Sequence, residues 1–398
     1  MRKFFVTTSF SFLVFALFFV LTFSSCTKKS DSTSSDNTDI PKDPGTAPPP
    51  TKLGPMKPAC AVSTTPGNPN RIKVNVGGLL IPGTTTPITY TTSNLTVIEN
   101  GVVKGIKITP LGSTSLGTDI VFVIDVTGSM SGTINGVKES ITSFLKNLKD
   151  RKLDVRCGAI AYSDNNDVRI PQSINGIASN TDPGAFTVVG YHNLTATIDS
   201  AGPIYNFIDS LRAGWKGYYG GDLPEGGFDG LWYAFQNFSW RSGAQRMFIV
   251  LTDISSWGLY APAGSGTSRS PWRTDSLAQV LSGRATVHVV SPDTNSMRSY
   301  NQGYTTGAYD MHWLATPGSF IQKSTTYNSG GTGGIWTNIY GTSGSGKVDL
   351  TTLPITAAAA SSALVEFVTS KADGTEKTIR VVVDIGTSNG EVIIKAVY

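Results

Sequence analysis

Between residues 118 and 360, short unbroken apolar runs alternate with stretches of helical periodicity. No other feature limits the possible folds as much. Val121–Asp125 is continuously apolar up to its final carboxylate, the mark of a strand covered on both faces. Ile134, Val137, Ile141, Leu145 and Leu148 then recur every three or four residues, which is one face of a helix. Val155–Tyr162 reads as the next strand, 203–213 and 228–238 as helices, and Met247–Leu251 and Ala285–Val290 as further buried strands. Strands alternating with helices imply a doubly wound α/β layer with a mainly parallel sheet. Such sheets bind ligands beyond the carboxyl ends of their strands.

The flanks follow another rhythm. Arg71–Val76, Leu95–Ile98 and Val103–Ile108 alternate polar and apolar residues, and Glu99-Asn100-Gly101 supplies the turn between the last two. Ala363–Val368, Lys377–Ile385 and Glu391–Tyr398 read the same way, with turns expected at Asp373-Gly374 and Asn389-Gly390. The expected division is a β-sandwich from 60–117 and 361–398, with the α/β domain of 118–360 inserted in it or flanked by it.

The strand ends carry the chemistry. Asp125, Thr127 and Ser129 alternate in a strand-to-helix loop, and Gly128 permits a tight turn there. A carboxylate with two hydroxyls suits Mg²⁺, Ca²⁺ or Mn²⁺ better than Zn²⁺. Alone, the string also fits an ordinary helix N-cap. However, Asp253 ends a second apolar strand, and Glu225 lies in a Gly-rich loop before a helix. Crowded carboxylates raise one another's pKa, and a bound cation relieves that cost.

These residues resemble the von Willebrand factor A domain and its metal-ion-dependent adhesion site. The family's usual Ser is here Thr127, which keeps the hydroxyl. The segment Asp222–Asp229 is similar to a loop of integrin β-subunit I-like domains. The resemblance implies an adhesion-type site of Asp125, Thr127, Ser129, Glu225 and Asp253 holding Mg²⁺ or Mn²⁺. It also implies a second, Ca²⁺-binding site from Asp164, Asp222, the Pro224 carbonyl and Glu225. The Asn of that second site is replaced by Gly220, and Ser131, Gly132 and Thr133 stand where a third site would need acids. The flanking strands are similar to the split sandwich that carries integrin-type A domains. In such domains a carboxylate from a partner completes the metal's coordination.

The N-terminus reads as an address. Arg2 and Lys3 precede an apolar run from Phe12 to Leu21, and Ser24-Ser25 precede Cys26. Residues 1–25 fit a secretory signal peptide. The Ser-Ser-Cys26 junction resembles a bacterial lipobox, with Phe23 in place of its usual Leu, and lipidation at Cys26 would anchor the chain to a membrane. Residues 26–59 are rich in Ser, Asp and Pro and are expected to form a lipidated, disordered stalk. Fully extended, such a stalk reaches on the order of 100 Å. The expected address is the bacterial envelope, after export through the inner membrane, on the exposed face of the outer membrane. Loss of Arg2 and Lys3 lowers the net charge from +4 to +2, which gives no footprint for nucleic acid. With 43 Gly and only 15% charged residues, the chain suits a loop-rich extracellular protein. Cys60 and Cys157 could pair in an oxidising compartment, although Cys157 sits in a strand where Cys serves as a small hydrophobe.

Gly341–Lys347 nearly spells a phosphate-binding loop, but Val348 replaces the required Ser or Thr, so a Gly/Ser loop is expected. His192, His288 and His312 share no ligand spacing. Trp215, Tyr218, Tyr219 and Trp257 could rim a binding surface or simply pack. The expectation is a surface protein that is not an enzyme and that bridges through a divalent cation to the carboxylate of a protein or peptide. The alternative is an envelope-assembly scaffold whose metal is structural.

Overall fold

The computed structural model describes residues 37–110, 117–163, 173–174, 177–178, 188–217, 225–257, 270–292, 308–322, 325–340, 349–351 and 354–398. The signal segment, Cys26, Asp164, Asp222, Pro224, Tyr218, Tyr219 and the 341–348 loop lie outside them.

At the centre is β6 (Thr118–Asp125), whose eight residues are all buried. Its side chains divide between two cores as the strand period of two requires. Ile120, Phe122 and Ile124 join one core with helix α1 (Ile134–Asp150), where Phe122 meets Phe144 edge-on at 6.0 Å. Val121 and Val123 join the other with α3 (Gly227–Asn237) and α4 (Thr274–Leu281). On α1 the five periodic apolar residues are all buried. Full burial of each such side chain contributes roughly 1.5–3 kcal/mol.

The six-stranded sheet runs β10-β7-β6-β11-β13-β17. Its other members are β7 (Val155–Tyr162), β10 (Val188–Thr195), β11 (Gln245–Leu251), β13 (Thr286–Ser291) and β17 (Trp336–Asn338). All neighbours are parallel except the edge pair β10-β7. Helix α2 (Pro203–Ser210) lies on the α1 side, beginning with the Pro that suits a first helical turn. Three small ribbons complete the unit. They pair β8 (Ser173–Ile174) with β9 (Ile177–Ala178), β12 (Ser256–Trp257) with β14 (Ala308–Tyr309), and β15 (Gly318–Gln322) with β16 (Thr325–Ser329). The fold is thus an α/β one with a doubly wound, mostly parallel sheet.

The flanking strands interleave into a sandwich. One sheet orders β1 (Cys60–Thr65), β2 (Asn68–Val76), β18 (Ala363–Val368) and β5 (Lys107–Pro110). The other orders β20 (Asn389–Val397), β19 (Glu376–Asp384), β3 (Leu95–Glu99) and β4 (Val102–Val103). Strands from before and after the α/β unit share one core. Buried polar contacts join the two parts. Asn75 donates to the carbonyls of Gly117 and Gly243, and the Ser362 hydroxyl donates to Gln245 Oε1 at 2.6 Å.

Three expectations need correction. The strand expected over 103–108 is two strands, because the chain crosses from one sheet to the other at Gly105, whose missing side chain admits the Pro41 and Lys42 carbonyls. The turn expected at Asn389-Gly390 lies at Ile385–Ser388, with Gly386 at φ +81°. Asn389 already pairs with Asp384. The largest difference is the stalk, because residues 37–59 form a strap along the sandwich. Asp39 binds Arg71 and Lys107, Asp43 binds Lys104, and the Pro49 and Pro50 carbonyls accept from Arg380. Ile40 and Met56 are buried. A segment too poor in apolar residues to fold alone is held here by partners elsewhere in the chain. The Asn100-Gly101 turn is present, with φ of 47° and 84°, as a tight hairpin requires.

Candidate metal centre

The sheet order reverses between β6 and β11, whose following connections leave in opposite directions, so a crevice opens at their carboxyl ends. Asp125 is the last residue of β6. Leu251, paired with Ile124, ends β11 and is followed by Thr252 and Asp253. The register therefore places the two acids side by side.

A relay of hydroxyls joins them. Asp125 Oδ1 accepts from the Thr127 backbone N–H at 2.9 Å and from its hydroxyl at 2.7 Å. Asp125 Oδ2 accepts from the Thr252 hydroxyl at 2.8 Å. Thr127 Oγ1 lies 3.1 Å from Ser129 Oγ, and Ser129 donates to Asp253 Oδ1 at 3.0 Å. Thr127 is extended, and a tight 3₁₀ turn follows at Gly128–Gly132, which turns Ser129 back over the strand end. Asp125, Thr127 and Thr252 have no exposure, whereas Ser129 is exposed and Asp253 half-buried. The site has a buried base and an open mouth.

Its electrostatics are those of an uncompensated acid pair. Burial raises the Asp125 pKa, and the neighbouring Asp253 charge raises it further against the hydrogen bonds from Thr127 and Thr252. Burial raises Asp253 as well, opposed by Ser129. Among the described residues, no Lys or Arg pairs with either acid.

Glu225 comes to the same end of the sheet. It is buried, its N–H donates to the Ser255 carbonyl at 3.1 Å, and it bridges in parallel to Ser256 just beyond Asp253. Its charge, like those of Asp125 and Asp253, helps hold the proton on the buried Tyr162 hydroxyl, although burial is the larger cause. Among the described residues, no three acidic, His or Cys side chains gather closely enough to hold a metal by those groups alone. The donors that converge are two carboxylates with the Thr127, Ser129 and Thr252 hydroxyls, a hard-oxygen set that fits a divalent cation such as Mg²⁺ or Mn²⁺.

Two neighbours were not singled out from sequence. Thr252 was visible as the residue before Asp253. Tyr162 could be found only through strand register, since it pairs with Asp125 across β6 and β7. For the second site the structure describes Glu225 alone. Trp215 is core packing against Phe207 at 5.5 Å, and the Trp257 side chain lies outside the description. His288 and His312 line one cavity, whose lining includes none of Asp125, Glu225 or Asp253. Cys60 and Cys157 are both free, each buried in a different core, and burial pushes both thiols up. The pairing considered from sequence is therefore absent.

Residues 119–183 match the family model of the von Willebrand factor type A domain. No curated protein matches the chain. Among solved structures, proximal thread matrix protein 1 from the mussel byssus, with a zinc-occupied MIDAS motif, is similar at 13% identity. That alignment covers 67% of this chain and 50% of the mussel chain, with a TM-score of 0.36. A second structure of the mussel protein aligns at 12% identity over 48% of this chain and 39% of its own, with a TM-score of 0.28. The chain therefore spans half or less of the length of these neighbours. Residues 119–183 thus match the von Willebrand factor type A domain, and the α/β sheet order around them, with the Asp125 loop at the point where that order reverses, is consistent with that fold.

Proposed function

We propose that the chain is a divalent-cation-dependent binding protein, in which Asp125, Thr127, Ser129, Asp253 and Glu225 hold Mg²⁺ or Mn²⁺ and a partner protein contributes a carboxylate. One observation carries this reading. A fully buried carboxylate stands beside a second one, with no cationic side chain among the described residues to offset them and with hydroxyls leading to an open mouth. A bound dication supplies the missing positive charge and an electrophilic position toward solvent. The protein's part is to orient oxygens. Thr252 and the Thr127 N–H fix the Asp125 carboxylate, while Ser129 and Asp253 form the rim. Binding rather than catalysis is proposed because every polar side chain described in the relay is a carboxylate or an alcohol. A Ca²⁺ at Asp164, Asp222, the Pro224 carbonyl and Glu225 belongs to the same proposal.

The proposal extends to location, with Cys26 lipidated and the domain displayed on the envelope surface. A Cys26→Ser variant is then released from the membrane fraction, and mass spectrometry finds no acylated N-terminus. The binding mechanism is tested by capture of surface proteins with wild type, Thr127→Asp and Asp253→Ala, each in Mg²⁺ and in chelator. Capture should need the cation and fall in both variants, because an added charge at 127 satisfies the metal without an outside carboxylate. Equal capture in every condition would contradict the bridge and leave the cation a brace for the loops.

A further inference from the structure

At the amino-terminal end of β11, opposite the metal centre, a groove of 940 Å³ opens between the sandwich and the α/β unit. Its walls are two sheet edges. Among the described strands, β1 pairs only with β2, and β20 only with β19. The strap covers the first part of the β20 edge, where the Met56 N–H donates to the Asn389 carbonyl at 3.2 Å and the Lys52 N–H to Glu391 Oε2 at 2.7 Å. The chain then leaves that edge for β1, and the Cys60 N–H turns to the Gly283 carbonyl. From Ile393 to Val397, no described backbone group bonds to the outer edge of β20.

That open stretch is apolar. Ile393 and Val397 are 59% and 67% exposed, the two most exposed large apolar side chains of the sandwich strands. Lys395 stands between them, and a charge in that place commonly guards an edge against pairing. Here it is engaged by Glu376 on the neighbouring strand at 2.8 Å.

The groove also holds an unanswered charge. Arg246 and Arg284 stand over the same Phe235 ring at 5.5 and 4.7 Å, and Arg246 also lies 5.4 Å from Trp240. Neither guanidinium meets a carboxylate among the described residues. Arg241, in the same groove, contrasts with them, since Asp119 and Asp154 each bind it at 2.7 Å. Burial, reinforced by the Arg284 charge, pulls the Arg246 pKa down against the charge of Asp119.

We infer that this groove is a docking surface for an extended acidic segment of a partner protein, which adds as a strand to β20 at Ile393–Val397 and sets a carboxylate against Arg246 and Arg284. Main-chain hydrogen bonds then give affinity, and the arginines choose the sequence. Five residues of strand span about 17 Å. The surface is distinct from the metal centre and does not depend on it.

The probe is a labelled seven-residue peptide, Thr-Val-Glu-Val-Asp-Val-Thr, capped at both ends, with a control carrying Lys in place of both acids. Fluorescence anisotropy with the full chain in EDTA keeps the metal centre out of the readout. The acidic peptide should bind and the Lys control should not. Arg284→Glu, at an exposed position, should weaken binding at least tenfold, as should Arg246→Gln, once thermal melting shows it folded. Hydrogen exchange should slow at Ile393–Val397 when the acidic peptide is present. No binding in EDTA, equal binding of the Lys control, affinity unchanged in Arg284→Glu, or protection elsewhere than β20 would each overturn the inference. None of these outcomes bears on the cation site.

Discussion

His288 should make the protein acid-labile. It lies on β13 with 2% of its surface exposed, and its Nδ1 accepts from the Ile335 N–H at 3.1 Å. An acceptor nitrogen carries no proton, so the ring is neutral with its proton on Nε2. Burial brings its pKa from 6.5 down to about 3. In the unfolded chain the ring regains the ordinary value, so between those limits the unfolded state binds a proton that the native state refuses. Stability is thus fully present above about pH 6.5 and falls as pH drops toward 3. For these two values the loss between about pH 7.5 and pH 5 is about 2 kcal/mol. His288→Asn keeps an acceptor near the Ile335 N–H but cannot titrate. Urea unfolding at both pH values measures the effect as the difference between the two proteins, since carboxylates common to both cancel. Wild type should lose about 2 kcal/mol more than the variant. Parallel losses would show that His288 is protonated as easily in the fold as out of it, and would refute the reasoning.

Asp125→Asn should stabilise the metal-free protein near neutral pH, since each unit of upward pKa displacement corresponds to about 1.4 kcal/mol. The sign is opposite to that of His288. A raised carboxylate pKa makes the native state bind more protons, so metal-free wild type gains stability as pH falls through that window and the variant does not, as melting curves in EDTA will show. Among the described residues, Arg241→Met leaves the fully buried Asp119 with only the residue 241 N–H, and should cost about 3 kcal/mol by denaturant unfolding. Met56→Ala should cost about 2–5 kcal/mol in the same assay, as at any core position. A loose stalk at 37–59 would show no loss.

The parts of the fold that could be read from sequence are those whose signal is local. Strand β6 announces itself as an apolar run, α1 by its three- and four-residue spacing, and the β3-β4 hairpin by Asn100-Gly101, the residue pair that accepts positive φ. The alternation of Asp125, Thr127 and Ser129 is likewise local, and the structure joins these side chains in one relay. What escaped depends on distant partners. Gly390 suggested a turn, yet it is small because the Met56 backbone presses against it, while Gly386 takes the turn. The strap looked unable to fold because its anchors, Arg71, Lys104 and Arg380, lie far along the chain. Tyr162 and Thr252 join the site through strand register, which becomes visible only once the sheet order is known.

The cation site is tested most directly by thermal unfolding of wild type and Asp125→Asn with EDTA, Mg²⁺ or Mn²⁺, alongside calorimetric titration of the cation. The account predicts one equivalent bound at the relay in wild type. At a hundredfold excess over Kd, it predicts a gain of about 2.7 kcal/mol. Asp125→Asn should show neither. Identical wild-type curves with chelator and with either cation, or an undiminished gain in Asp125→Asn, would contradict it.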